Sequence, residues 1–205
     1  MGSEEARFAA AAALRDLNHA FTASDPDDTV FSEVSATAGR LVQAFEAAPR
    51  RDRLALMRQR AGGALMSGLG FEDRAVAGQA NPTSIDITVQ FGEDDVIADV
   101  TLRRAFEGAP GRAHGGIVAA AFDDVTGFVI GRLQEPAFTG ELTVRYLAPV
   151  PVDEPLEMRA RLDGRERRKL FISAEAIHDG QVIATCKAIY ITVDPSRFAP
   201  MPDPR

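Results

Sequence analysis

The sequence predicts an α+β domain in which an antiparallel sheet wraps around one long, buried helix, with a helical extension in front of it. Three observations carry this prediction. From Asn81 onward, apolar and polar residues alternate at the period of a half-buried strand. The stretch from His114 to Leu133, opening HGGIVAAAFDDVTG, is apolar on every side when wound as a helix. Four further strand-like runs follow it, joined by short turns. A sheet closed over a single hydrophobic helix satisfies both that order and the helix's all-round apolarity.

Taken in order, residues 4–22 read as a helix, with Leu14, Leu17 and Phe21 at helical spacing and Glu4 and Glu5 at the end where the dipole favours negative charge. TASDPDD (22–28) breaks it. A second amphipathic helix carries Val34, Ala38, Leu41, Val42 and Phe45 on one face and ends before Pro49. Residues 50–60 suggest a third short helix, and the Gly-rich run 62–70 an irregular connection. Ile85, Ile87, Val89 and Phe91 mark a strand, Gly92 to Asp95 a turn, and Val96 to Phe106 the returning strand. EGAPGRA (107–113) leads into the helix. The later strands are expected over Thr139–Leu147, Leu156–Arg165, Leu170–His178 and Val182–Val193, with His178-Asp179-Gly180-Gln181 as a hairpin turn. The chain thus divides into a helical extension (1–80), a sheet-and-helix domain (81–194) and a surface tail (195–205).

Composition excludes several functions. A chain of 205 residues, 45% apolar and 26% charged, is an ordinary soluble domain with room for an extension. The net charge of −7 argues against a nucleic-acid partner. A single cysteine, Cys186, forbids an intrachain disulfide and suits a reducing cytoplasm. Glu4 and Glu5 stand before the alanine run 9–13 where an export signal needs positive charge. Asp123 and Asp124 in mid-helix make a membrane span costly. The expectation is a cytoplasmic protein with no membrane partner.

The central helix also constrains chemistry. Its first free N–H groups, near Gly115 and Gly116, carry partial positive charge and are suited to polarising a carbonyl oxygen. Aspartate is a poor helix-interior residue, so Asp123 in an apolar helix needs a reason. Asp123 lies seven residues beyond Gly116, roughly 10 Å along the axis. One carbonyl cannot touch both in a single copy, whereas two antiparallel helices bring the N-terminus of one beside Asp123 of the other. The spacing points to a dimer with shared sites. Other chemistries find little support: His19, His114 and His178 are scattered, Ser67 lacks the first glycine of a nucleophile elbow, 62–70 lacks the ending of a P-loop, and Cys186 alternates as a small core residue.

HGG at 114–116, Asp123 at the ninth position after the histidine, EGAPG (107–111), TGELTVRYLAPVP (139–151) and the basic turn before KLFISAEA (169–176) together resemble the hotdog-fold acyl-CoA thioesterases, in particular the PaaI-like branch, over about residues 81–194. The resemblance implies hydrolysis of a thioester between an acyl group and coenzyme A, with no cofactor beyond the coenzyme A of the substrate. It assigns the oxygen-binding N–H to Gly116, with Gly115 beside it in the substrate site. Asp123 becomes general base or nucleophile, and Thr139 a hydroxyl that orients water. It also implies pairing of two chains, as a dimer or a dimer of dimers. His114 stands either as a cap of the helix or as a substrate contact. Arg165, Arg167, Arg168 and Lys169 form either a solvated charge run or, through Arg168 and Lys169, a site for the phosphates of coenzyme A. Asp124 departs from the family, which often carries Glu there, and is expected to be paired at the interface or wet. Two other readings remain open: a hotdog hydratase or dehydratase using His114 and Asp123, and a non-catalytic acyl-CoA-binding protein.

Overall fold

The structure, a computed structural model, describes residues 2–52 and 72–194. Residues 53–71, which hold most of the expected third helix and the Gly-rich run with Ser67, lie outside the described residues, as does the tail 195–205. Helices α1 (Ser3–Ala23) and α2 (Asp28–Glu46) precede strands β1 (Asp86–Phe91) and β2 (Asp95–Thr101). A 3-10 turn at Arg104–Phe106 leads to the central helix α3 (Gly115–Leu133), followed by β3 (Ala137–Tyr146), β4 (Pro155–Glu166), β5 (Lys169–His178) and β6 (Gln181–Thr192). The six strands form one antiparallel sheet in the order β1-β2-β4-β5-β6-β3. With α3 packed along one face, this is the hotdog arrangement.

The core follows from strand alternation. Val96, Ala98 and Val100 of β2, Leu156, Met158 and Ala160 of β4, Leu170, Ile172 and Ala174 of β5, and Ala184, Cys186, Ala188 and Tyr190 of β6 all turn to α3 and are buried. They meet Val118, Phe122, Val125 and Val129 of the helix. Each large apolar side chain buried there contributes roughly 1.5–3 kcal/mol. The hairpin turn expected at 178–181 forms, with His178 paired to Gln181 and both central residues, Asp179 and Gly180, at positive φ (49° and 74°).

Two expectations change. The strand expected over Val96–Phe106 stops at Thr101. The Leu102 carbonyl accepts the Asp153 N–H instead, and the chain tightens into the 3-10 turn that brings the Phe106 carbonyl to the His114 N–H. The amphipathic α2 forms behind its Asp27 cap, but it has no buried residue, and Leu41, Val42 and Phe45 are exposed. Its ring contact with α1 is Phe31 edge-on to Phe21, 5.6 Å between centroids.

Helix α1 is docked on the domain by polar contacts. Arg15 donates to the carbonyls of Gln79 (3.0 Å) and Asn81 (2.9 Å), and Arg103 pairs with Asp16 at 2.7 Å. His19, 5% exposed, stands edge-on to Phe106, and its Nδ1 accepts the Ala105 N–H at 3.1 Å. The boundary expected at residue 80 crosses a hydrogen-bonded stretch in which Ala80 N–H donates to the Glu72 carbonyl and Ile85 N–H to that of Val76. Among the described residues no helix is long and apolar enough to cross a membrane.

The His19 contact carries a pH dependence. Burial first, then the Arg103 charge, holds its imidazole below the ordinary 6.5, against the opposing pull of Asp86, Asp153 and Asp16. A folded pKa below the unfolded one means the unfolded chain takes up the proton first. The stability this contact contributes is therefore present above the unfolded value and lost as pH falls through the folded one. The Tm of the wild type is expected to fall more steeply below about pH 6.5 than that of His19→Gln, which keeps an acceptor but does not titrate. Equal slopes would mean that the dock does not sense the proton.

Candidate active site

The site is assembled from a loop, a helix and two strands. The loop 107–113 closes on itself: the Glu107 carboxylate accepts the Gly111 N–H and pairs with Arg104, and Gly108 N–H donates to the Arg112 carbonyl. The Ala113 N–H donates to Val150 and the His114 N–H to Phe106, both at 2.8 Å. His114 is thereby held as the N-cap of α3. Its carbonyl accepts the Ile117 and Val118 N–H groups, and its Nδ1 accepts the Gly116 N–H at 3.1 Å. Of the two roles open to His114, the structure has the cap. The Gly116 N–H is consequently engaged rather than free, because an N-cap side chain accepts from the second helical residue. The Gly115 N–H has no partner among the described residues, while its carbonyl accepts from the Tyr146 hydroxyl at 2.6 Å. Two glycines suit the close approach here: a Cβ would crowd the Tyr146 hydroxyl at 3.3 Å from residue 115 and the His114 ring at 3.2 Å from residue 116.

In the third turn of α3 lies Asp123. Its Oδ1 accepts the Thr139 hydroxyl at 2.8 Å. Simple alternation along β3 does not produce this contact. Leu142 and Val144 turn to the core, so an unbroken strand would send Thr139 to the outer face with Glu141 and Thr143. A β-bulge intervenes: Thr139 pairs with Tyr190 and Glu141 with Ile189, leaving Gly140 as the extra residue. The insertion reverses the alternation, so Ala137 and Thr139 face the helix side and Phe138 is exposed. Position 140 suits glycine because a Cβ there would come within 3.0 Å of the Ile191 side chain and 3.3 Å of the Ile189 carbonyl. An isolated glycine in a strand pattern is the sequence signal for such a bulge.

The helix is not covered all round, as its apolarity had suggested. Ala119, Ala120, Asp123 and Gly127 are half-buried and Gly116 is exposed, so a stripe of small residues containing Asp123 stays partly open. Asp124 points elsewhere, about 100° around the axis. Its carboxylate accepts the Ala77 N–H and faces the Arg74 charge, and the Arg74 guanidinium lies 4.8 Å over the Phe128 ring. Burial, with help from Asp123, raises the Asp124 pKa above its ordinary value against the pull of Arg74. Asp124 Oδ2 is buried without a hydrogen-bond partner among the described residues. Asp124 thus has an internal contact with the segment leading into β1, for which the sequence carried no signal.

Arg167 and Arg168 form the two-residue turn between β4 and β5, with Arg167 at φ 53° and Glu166 paired to Lys169. Glu166, Arg167, Arg168, Lys169 and Ile191 line an open depression of about 780 Å³. The Arg168 Nε donates to the Thr192 carbonyl at 2.9 Å, and Arg165 pairs with Glu135 at 2.6 Å. In register, Lys169 faces Ile191 and Ile191 faces Phe138, one position from Thr139. Two strand spacings, roughly 10 Å, separate the basic turn from β3 at that end of the sheet. The structure therefore gathers Asp123, Thr139 and the basic turn toward one end, and leaves Gly115, Gly116 and His114 at the other end of the helix stripe.

Sequence reasoning missed the polar residues that support Asp123. Tyr190 and Thr126, 4% and 0% exposed, lie in the core. Only their pairing in space reveals that the Tyr190 hydroxyl donates to the Asp123 carbonyl at 2.9 Å. Cys186 behaves as expected of a core thiol: burial first, then the Asp123 charge, pushes its pKa up to about 12.

Comparison with known proteins agrees with this geometry. Residues 110–185 match the family model of the thioesterase superfamily. The chain is 30% identical over 93 residues to acyl-coenzyme A thioesterase THEM4 of Mus musculus, covering 44% of this chain and 40% of that protein. It is 41% identical over 73 residues to acyl-coenzyme A thioesterase THEM5 of Homo sapiens, covering 34% and 28%. The matched part thus spans less than half the length of these curated relatives. A solved thioesterase superfamily protein superposes with a TM-score of 0.76 at 24% identity, over 90% of this chain and 94% of the other, so the likeness in fold takes in the helical extension.

Proposed function

Because residues 110–185 match the thioesterase-superfamily model and the fold is the hotdog fold, we propose that the chain hydrolyses acyl-CoA thioesters to a free acid and coenzyme A. The observation that carries the proposal is the Asp123 carboxylate on a half-open helix stripe, with Oδ1 occupied by the Thr139 hydroxyl at 2.8 Å. The relatives named acyl-coenzyme A thioesterases support the substrate class.

The reaction runs as follows. Thr139 holds one oxygen of Asp123, and the other takes a proton from water as that water attacks the thioester carbon. Negative charge collects on the carbonyl oxygen, where N–H groups at a helix N-terminus stabilise it. The Gly115 N–H is open for this role, and the Gly116 N–H joins by exchanging the His114 ring for the substrate oxygen. Collapse of the tetrahedral intermediate breaks the C–S bond, and the thiolate of coenzyme A takes the proton back from Asp123. Water is the only co-reactant, and no cofactor is needed beyond the coenzyme A of the substrate. A nucleophilic Asp123 would form an acyl anhydride instead. The Thr139 contact favours the general-base route, because it fixes the carboxylate for a water rather than leaving both oxygens free to attack.

One chain cannot supply both parts of the site, since Gly116 and Asp123 lie roughly 10 Å apart along the helix. A second copy, antiparallel along the small-residue stripe Gly116, Ala120, Asp123 and Gly127, brings its N-terminal glycines to Asp123. The active unit is therefore a homodimer, alone or within a dimer of dimers. Arg168 and Lys169 meet the phosphates of coenzyme A as charge-assisted partners.

The test is thiol release from short, long and aromatic acyl-CoAs, with sedimentation of the same sample. Release by a dimeric or larger protein is expected. A folded dimer that binds acyl-CoA without thiol release would indicate a binding protein, and a change in enoyl absorbance without release a hydratase.

A further inference from the structure

We propose that Tyr190 is a positioning residue that holds the Asp123–Thr139 pair in register, an inference that rests on Asp123 being the general base. Three hydroxyl groups converge beneath Asp123, each with one hydrogen to donate. Three acceptors on the helix meet them. Thr126 Oγ1 lies 2.8 Å from the Phe122 carbonyl, the Tyr190 hydroxyl 2.9 Å from the Asp123 carbonyl, and Thr139 Oγ1 2.8 Å from Asp123 Oδ1. Thr126 Oγ1 and the Tyr190 hydroxyl are themselves 3.0 Å apart. Thr126 Oγ1 also lies 3.1 Å from the Asp123 carbonyl, so Thr126 and Tyr190 share the two helix carbonyls while the carboxylate takes the Thr139 hydrogen.

The placement of Tyr190 gives it leverage over that bond. It stands directly opposite Thr139 in the β3–β6 register, at the strand pair where the Gly140 bulge turns Thr139 toward the helix. Its hydroxyl ties the backbone of Asp123 to β6, while Thr139 ties the side chain of Asp123 to β3. Helix and strands are thus fixed at two points about the same residue. Water cannot replace the link, because Tyr190 is 4% and Thr126 0% exposed. Burial also pushes the phenol pKa up to about 12, so Tyr190 stays a neutral donor at any working pH. It does not touch substrate, and it acts through Asp123 and Thr139.

Tyr190→Phe keeps the ring and deletes only the hydroxyl. It is expected to lower kcat about tenfold, the scale of one misplaced hydrogen bond, with KM changed less than about twofold. Against Thr139→Ala the same change is expected to cost no more than about a further twofold, because the pair it aligns is gone. Losses that multiply independently would overturn the proposal, as would a Tyr190→Phe enzyme as active as the wild type. Amide exchange supplies a readout free of turnover. The Tyr190 hydroxyl tethers the Asp123 turn of the helix to β6, so without it this turn is expected to open more often and exchange of the Gly127 N–H, bonded to the same carbonyl, to quicken in Tyr190→Phe. Unchanged exchange at Gly127 overturns the proposal even if no acyl-CoA is turned over, whereas absence of wild-type turnover alone strikes the catalytic reading of Asp123. Thr126→Val, which removes the neighbouring hydroxyl at nearly constant volume, is expected to show a smaller kcat loss at unchanged KM, and a loss confined to KM would count against the proposal.

Discussion

Replacing Asp123 by Asn is expected to lower kcat for thiol release by about 10³-fold, the scale of a lost general base. The amide is nearly isosteric, and its oxygen still accepts the Thr139 hydroxyl that Oδ1 accepts at 2.8 Å in the wild type. What Asn cannot do is take a proton from water. The substrate contacts proposed at the helix N-terminus and at Arg168 are untouched, so KM is expected to change only a few-fold. Steady-state kinetics on the best substrate, with a thermal melt to establish folding, make the check. Turnover within about tenfold of wild type in a folded Asp123→Asn protein would remove Asp123 from the mechanism.

The largest effect on stability is expected from Phe122→Ala. Phe122 is 0% exposed and sits on the helix face that meets the sheet, one residue from Asp123. Truncation removes the ring and leaves a cavity between α3 and the sheet, since helix and strands are each held by their own backbone bonds. The expected loss is about 3–5 kcal/mol, a large share of the roughly 5–15 kcal/mol that stabilises a typical domain. Chemical denaturation monitored by circular dichroism measures it, at several protein concentrations so that the proposed dimerisation is accounted for. A loss below about 1 kcal/mol would mean that the sheet collapses onto the helix and the ring is not the keystone of this core.

How much of the site was legible depended on whether its residues are close in sequence. His114, Gly115, Gly116 and Asp123 sit on one helix, where fixed rise and rotation turn spacing into distance, and the dimer argument needed nothing more. Thr139 was legible by resemblance but not by pattern: alternation alone sends it to the outer face, and only the bulge at Gly140 turns it inward. Tyr190 lies 67 residues from Asp123 and looks like any other core aromatic until β6 is known to pair with β3. Asp124 and Arg74 meet because the segment before β1 folds back over the helix, a contact with no local signature.

The sequence by itself determined the elements and, apart from the start of β3, their faces. Period-two and period-3.6 patterns reflect which side of a strand or helix avoids water, and that preference is written residue by residue. It also determined the hairpin turn at Asp179-Gly180, where positive φ demands those residue types. Tertiary structure alone decided the strand order that places β3 at the sheet edge beside β6. It decided, too, the hydroxyl cluster beneath Asp123 and the docking of α1 through His19. These depend on hydrogen bonds between groups far apart in the chain. Many pairings satisfy the same donors and acceptors, and only the packed core selects one.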